Sequence, residues 1–110
     1  MKNMSDIIND VDLMKYEFTS TPFCYQENAA CSWHFISLPK ELSKEIRENY
    51  KHQEEGWGRL KVTAQIRSSE WKTSIWFDTK HDTYLLPLKA EIRRKEKIDT
   101  DAPVKAAVWI

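Results

Sequence analysis

The sequence predicts a mainly β fold with short helices, arranged as a small closed β-barrel. Several short segments alternate apolar and polar residues as strands do, and a unit of strand, Leu-Pro and helix occurs twice. The chain has 110 residues, 41% of them hydrophobic and 31% charged, which fits one soluble globular domain. Closing the sheet into a barrel would also hide the edges of its apolar strands.

The N-terminal residues 1–14 are predicted to form a helical extension, and residues 15–110 a single β-barrel domain. Ile7, Val11 and Met14 recur at the spacing of one helix face. The elements predicted after this helix are strands over 16–21, 31–38, 60–66, 71–77, 83–86 and 104–110, and helices over 39–50 and 87–97, each helix opened by a proline.

The predicted core comes from strand alternation, because every second side chain of a strand points to the same face. The segments over 60–66 and 71–77, joined by a polar turn over 68–70, are predicted to form an antiparallel hairpin. The residues predicted to be buried are Leu60, Val62, Ala64, Ile66, Trp71, Ile75, Phe77, Val104 and Val108.

The internal repeat opens at Phe35–Leu42 and again at Tyr84–Ile92. The second copy, which continues through Ile98-Asp99-Thr100-Asp101 to Val104, resembles the swapped-hairpin transition-state regulators and antitoxins, the AbrB-like family. In that family two chains each contribute such a unit to one barrel. Two copies in one chain therefore predict a pseudo-twofold barrel that a single chain closes.

Four short motifs along the chain form a specific combination. They are Trp33 followed by Leu38-Pro39, then Gly56-Trp57-Gly58-Arg59, Trp71-Lys72-Thr73-Ser74, and Leu86-Pro87-Leu88-Lys89 with Arg93. Through these motifs nearly the whole chain, from about residue 16 to residue 110, resembles a bacterial family called domain of unknown function 1905. That resemblance implies a small double-split β-barrel with helical caps and no established activity. Two turns depart from the family pattern, at Arg67-Ser68-Ser69 and at Trp76-Phe77-Asp78.

The charge balance bears on the classes of partner. The 17 basic and 17 acidic residues cancel, which argues against the excess of Lys and Arg usual in nucleic-acid binders. Residues 1–55 hold 6 basic and 10 acidic residues, whereas residues 56–110 hold 11 and 7, so the basic second half keeps nucleic acid as an alternative. No apolar run approaches the length of a membrane span.

The cysteines and histidines give no pattern typical of a cofactor or a metal. Cys24, Cys31 and His34 lack the spacing of a zinc site, so neither a metal nor another cofactor is expected. Without a recognisable secretion signal, a cytoplasmic location with both thiols reduced is expected. No catalytic motif occurs, and His81 beside Asp82 is typical of a solvated turn. The sequence therefore does not predict an enzyme.

Two tryptophans form a candidate contact surface. Trp76 and Trp109 fall on the faces opposite the clearest apolar sets of their strands. An outward tryptophan either is covered by another element or belongs to a contact surface. The N-terminal helix and a second subunit are the two candidate covers.

The candidate ligand site is the start of the second helix. If Pro87 is the first helical residue, Lys89 lies in the first turn, where a cation opposes the helix dipole, and Arg93 and Lys97 continue a basic stripe. Backbone N–H groups, Lys89 and Arg93 would then hold an anion, with Ser74 as a neighbour. The alternatives are that Asp78, Asp82 or Glu70 folds over and pairs with these bases, or that the bases are simply solvated.

Taken together, these patterns predict a non-catalytic binding module for a small, anionic ligand or for a protein partner, acting as a monomer or a homodimer. The alternative is a nucleic-acid-binding regulator of the swapped-hairpin barrel type, which rests on fold analogy.

Overall fold

The structure is a computed structural model that describes residues 14–24 and 34–110. Seven antiparallel strands dominate this part of the chain, so the prediction of a mainly β fold with short helices is confirmed. The strands are β1 (Lys15–Ser20), β2 (Phe23–Cys24), β3 (His34–Ser37), β4 (Arg59–Ile66), β5 (Ser69–Asp78), β6 (Thr83–Pro87) and β7 (Val104–Trp109). The helices are α1 (Lys40–Tyr50) and α2 (Ala90–Lys95), with 3-10 turns at Lys51–Gln53 and Gly56–Gly58.

The seven strands form one sheet in the order β1-β7-β4-β5-β6-β3-β2. Its two outermost strands, β1 and β2, are joined in the chain by Thr21 and Pro22 alone. Six interstrand spacings would hold the edges of a flat sheet about 29 Å apart, whereas this connection extends at most about 11 Å. The sheet therefore curls into a half-barrel.

The hairpin of β4 and β5 follows the predicted alternation. Leu60 pairs with Ile75 and Ala64 with Trp71, so the buried sets of both strands face the same side. The hairpin turn lies earlier than predicted, at Arg67 and Ser68, where Arg67 has a φ of 53°. Ser69 belongs to β5 and is buried, which corrects the prediction of a turn over 68–70.

The main core lies on the concave side of the sheet, under α1 and α2. Of the nine predicted core residues, eight are buried, and Phe77 is half-buried against them. Ile36, Leu38, Ile46, Tyr84 and Leu86 complete the centre of this cluster with almost no exposed surface.

The two repeated units meet at the pairing of β3 with β6. Leu38 N donates to Tyr84 O at 2.9 Å, and Leu88 N donates to His34 O at 2.8 Å. Leu88 lies 50 residues after Leu38, and Tyr84 lies 50 residues after His34, so the two bonds are equivalent in the two units. The first residues of α1 and α2 are also 50 residues apart, and so are the residues before them, Pro39 and Lys89. The structural equivalent of Pro39 is thus Lys89. This corrects the sequence-based alignment of the two units, which matched Leu38-Pro39 with Leu86-Pro87.

That displacement also corrects the predicted starts of the helices. Pro87 pairs with Phe35 and is the last residue of β6, and the hydrogen bond of Leu88 to His34 extends this ladder. Because these bonds hold residues 87 and 88 in the sheet, α2 begins only at Ala90. Pro39 likewise precedes the first residue of α1.

The predicted N-terminal helix lies outside the described residues, apart from Met14. Met14 exchanges backbone hydrogen bonds with Ile110, at 3.2 and 3.1 Å, so it extends the β1–β7 ladder instead of ending a helix.

Candidate ligand-binding site

Four of the five residues that the sequence singles out line one open cleft on the outer face of the sheet. Ser74, Trp76, Lys89 and Trp109 surround a volume of about 670 Å³. Arg93 does not line this cleft. The convergence was not predictable in detail, because the sequence placed the tryptophans and the basic residues in two separate sites.

Strand pairing explains why these side chains meet. Lys61 of β4 is the partner of Ser74 of β5, and Thr63 is the partner of both Lys72 on β5 and Trp109 on β7. Side chains directly opposite each other in antiparallel strands lie on the same face. The cleft therefore runs across three adjacent strands.

The two indole side chains differ in their exposed fraction. Trp76 is 39% exposed, and its ring packs against Phe35 with 6.2 Å between centroids. Trp109 is half-buried, and Lys15 Nζ lies 5.2 Å from the centre of its ring. Both aromatic side chains thus face outward, as predicted, and both are fixed by neighbours within the chain.

The charged side chains of the cleft are of one sign. Lys61, Lys72 and Lys89 line it, and no acidic side chain is among its described lining residues. Lys61 Nζ has a nearby carboxylate, Glu55 Oε1 at 3.4 Å, but both side chains are well exposed. Such exposed pairs are weak and screened by salt. The cleft is consequently an electropositive surface with aromatic walls.

Lys89 occupies the residue before α2, not its first turn. Its backbone is extended, with φ −65° and ψ 147°, and its side chain makes no capping hydrogen bond. The prediction of a cation in the first turn is therefore wrong, since the helix starts after Lys89. Among the described residues, neither Lys89 nor Arg93 makes an ion pair, so the alternative of pairing with Asp78 is not observed.

Arg93 is tied to the junction of β6 and α2. Its Nε donates to Leu88 O at 3.4 Å, and the residue lies in the last turn of α2, where a cation suits the helix dipole. Burial lowers the pKa of the His34 imidazole, and the charge of Arg93 lowers it further. Lys97 lies beyond the end of α2 with a φ of 53°, so the predicted stripe of basic residues along the helix does not form.

The equivalent residue of the first unit shows what Arg93 does structurally. Ser43 lies 50 residues earlier, and its Oγ donates to Leu38 O at 3.4 Å, as Arg93 Nε does to Leu88 O. The two side chains secure the same junction in the two repeats. The position of the Arg93 side chain is therefore explained by its structural contact at this junction.

The remaining polar groups give no catalytic or metal arrangement in the described part of the chain. His81 Nδ1 lies 2.6 Å from Asp78 Oδ2, and His81 is largely exposed. No group of three or more His, Cys, Asp or Glu within residues 14–24 and 34–110 is placed to hold a metal ion. Cys24 is disulfide-bonded, so the prediction of reduced thiols is wrong for this residue.

Sequence reasoning missed Lys61, Lys72 and Thr63 as lining residues. Each stands at an outward position of a correctly predicted strand, which is the signal that could have found them. Their meeting with Trp109 depends on β7 pairing with β4, a contact between segments about 45 residues apart that alternation does not specify.

The fold and the cleft define a small module built on one curled antiparallel sheet, with two short helices on its concave side and an aromatic, basic cleft outside. The chain belongs to the family described as domain of unknown function (DUF1905), whose model matches residues 19–108. A comparison with curated proteins found no match. No helix within the described residues is long and apolar enough to cross a membrane.

Proposed function

We propose that this protein is a non-catalytic binding module that holds a small anionic ligand in the outer cleft. The observation that carries the proposal is the joint placement of Lys61, Lys72 and Lys89 with Trp76 and Trp109, without an acidic side chain among the described lining residues. Three ammonium groups attract an anion, and two indoles offer flat apolar surface.

The chemistry of the cleft favours a ligand with two parts. A phosphate or carboxylate gains charge-assisted hydrogen bonds from the lysines, and Ser74 Oγ adds a neutral donor. A planar apolar group gains from contact with an indole. The cleft volume of about 670 Å³ lies in the range usual for small-molecule sites, roughly 300–1,000 Å³.

The experiment is a binding screen read by tryptophan fluorescence, because Trp76 and Trp109 line the site. Aromatic carboxylates and nucleoside monophosphates are the probes. Lys89→Met removes a charge that has no structural partner within the described residues, so the variant should fold and lose about tenfold in affinity. Lys80→Met, an exposed lysine outside the cleft, is the matched control.

Equal affinity of the parent and Lys89→Met for every probe that binds would contradict the proposal, as would the absence of binding by the parent. A ligand lost in Lys89→Met and kept in Lys80→Met supports it.

A second candidate, single-stranded nucleic acid, is favoured by the alternation of indoles and lysines across one sheet face. Bases stack on aromatic side chains while lysines contact phosphates. Gel shifts at two salt concentrations separate the candidates, because binding through several phosphates weakens steeply with salt. A mononucleotide bound as tightly as an oligonucleotide would exclude this second function.

The same proposal includes closure of the barrel by one chain. Its support is the two-residue connection at Thr21 and Pro22 between the outermost strands. We expect an experimental structure in which residues 83–110 complete the sheet of their own chain. Exchange of this segment between two chains would contradict closure.

A further inference from the structure

A second groove, on the opposite side of the sheet from the outer cleft, is lined by Arg47 of α1. Arg47 Cζ lies 3.7 Å from the centre of the Phe77 ring. Arg47 Nη1 is buried and has no hydrogen-bond partner within residues 14–24 and 34–110. Within the described residues, Arg47 also makes no ion pair.

Arg47 as a whole is half-buried, but the environment of its buried Nη1 is unusual. An arginine stays protonated in proteins, and all five of its N–H groups require acceptors. Buried polar groups are nearly always hydrogen-bonded, and one that is not calls for an explanation. The carboxylate of Glu54 accepts a hydrogen bond from the Tyr84 hydroxyl and makes no ion pair with Arg47 in the described part of the chain. Stacking on Phe77 holds the guanidinium plane but supplies no acceptor.

The groove beside Arg47 has room for a ligand. Its volume is about 830 Å³, and it lies between α1 and the β5–β6 turn. Lys40 and Lys44 line it from the face of α1 on which Arg47 lies, and Lys51 of the following 3-10 turn also lines it.

Acidic groups line the groove as well. Glu41, Glu48 and Asp82 offset most of the charge of the lysines and Arg47, so the net positive charge is small. The overall field is therefore too weak to select an anion. Selection must come from the oriented guanidinium, which matches the two oxygens of a carboxylate or phosphate in a fork geometry.

We propose that this groove binds a small oxyanion, a phosphate or a carboxylate, with Arg47 as its main contact and Lys44 as a second one. The site is distinct from the outer cleft, because Phe77 and Trp76 are neighbours on β5 whose side chains point to opposite faces. It does not depend on the function proposed above.

The test uses inorganic phosphate and succinate as probes, with sodium chloride at matched ionic strength as the reference. Thermal unfolding of the parent should rise with at least one probe beyond the salt reference. A rise with phosphate alone identifies a phosphate group as the ligand, and a rise with succinate alone identifies a carboxylate. Amide shifts in the NMR spectrum should change within residues 40–51 and 77–82.

Arg47→Met is the decisive variant, because its side chain can still cover Phe77 but carries no charge. It should melt at a higher temperature than the unliganded parent, since a buried N–H group without an acceptor is removed, and it should lose the response to the probe. A merely structural role predicts a lower melting temperature. Lys61→Met, in the outer cleft, is the control and should keep the response. Arg47→Lys, which retains the charge without the fork, should bind about tenfold more weakly.

The proposal is overturned if neither probe acts on the parent, or if Arg47→Met responds as the parent does. It is also overturned if the amide shifts change only in the outer cleft. Should Arg47→Met fail to fold, Arg47→Lys together with the shift map on the parent decides the question.

Discussion

The hydroxyl of Ser43 accepts a hydrogen bond from the backbone N–H of Tyr84 at 3.0 Å, and both residues are completely buried. Ser43 lies on α1 and Tyr84 on β6, so this single bond joins the first helix to the second repeat. The same hydroxyl donates to Leu38 O at 3.4 Å. One small side chain thus satisfies backbone groups of two different segments.

Replacing Ser43 with alanine should destabilise the protein by about 1–3 kcal/mol, because the N–H of Tyr84 would be left buried without an acceptor. Urea unfolding of Ser43→Ala against the parent measures the difference. Lys44→Ala, at the next and exposed position of α1, should stay within about 0.5 kcal/mol of the parent. Equal loss in both variants would show that the buried bond is not the cause, since alanine favours the helix at either position.

Shortening a side chain at the centre of the core should cost more. Ile75 of β5 has no exposed surface, and Ile75→Ala removes apolar contact and leaves a cavity. We expect a loss of about 2–5 kcal/mol, measured by thermal or urea unfolding. Lys72→Ala, an outward position on the same strand, is the control. A melting temperature equal to that of the parent would mean that the register of β5 is wrong.

The core was predictable because burial alternates along β4 as the apolar residues do. The burial of alternate residues from Leu60 to Ile66 follows once one face of the strand is taken to be buried, without knowledge of its tertiary contacts. β2, in contrast, consists of Phe23 and Cys24 only, and the sequence predicts no strand there. Two residues carry no detectable period, and their strand exists through pairing with β3.

The outer cleft was predictable in its residue types and not in its assembly. Alternation placed Trp76, Trp109 and Ser74 outward, but only the register of three strands shows that they share one surface. The start of α2 was misplaced because Pro87 is a typical first helical residue, whereas here its pairing with Phe35 keeps it in the sheet. The stacking of Arg47 on Phe77 joins a helix to a strand and leaves no pattern in the sequence.

The acid stability of the protein should depend on Glu96. Hydrogen bonds from Ser69 Oγ, at 2.5 Å, and Ser68 Oγ, at 3.1 Å, lower the pKa of this carboxylate, and the charges of Arg67 and Lys95 act in the same direction while burial opposes them. Because the folded pKa lies below the unfolded one, the stabilisation is present above the unfolded pKa and is lost as the pH falls through the folded pKa.

Glu96→Gln should therefore be less stable than the parent at neutral pH, and the difference should shrink as the pH falls below about 4. Urea unfolding across this pH range provides the measurement. Glu91→Gln, an exposed position on α2, should keep the pH dependence of the parent. A constant difference between Glu96→Gln and the parent at every pH would contradict a role for the ionised carboxylate.

The two glycines of the segment before β4 should respond oppositely to alanine. Gly58 has a φ of 71°, and a Cβ there would lie 3.2 Å from Phe77 Cβ. Gly58→Ala combines a left-handed backbone with a close contact, so it should lose about 1–3 kcal/mol. Gly56 has open space around the position of a Cβ, and Gly56→Ala should be neutral or stabilise by up to about 1 kcal/mol through the unfolded chain. Thermal unfolding of both variants tests the pair.

The same two variants should differ in their response to phosphate or succinate. Because the guanidinium of Arg47 stacks on Phe77, Gly58→Ala should weaken this response, whereas Gly56→Ala should leave it unchanged.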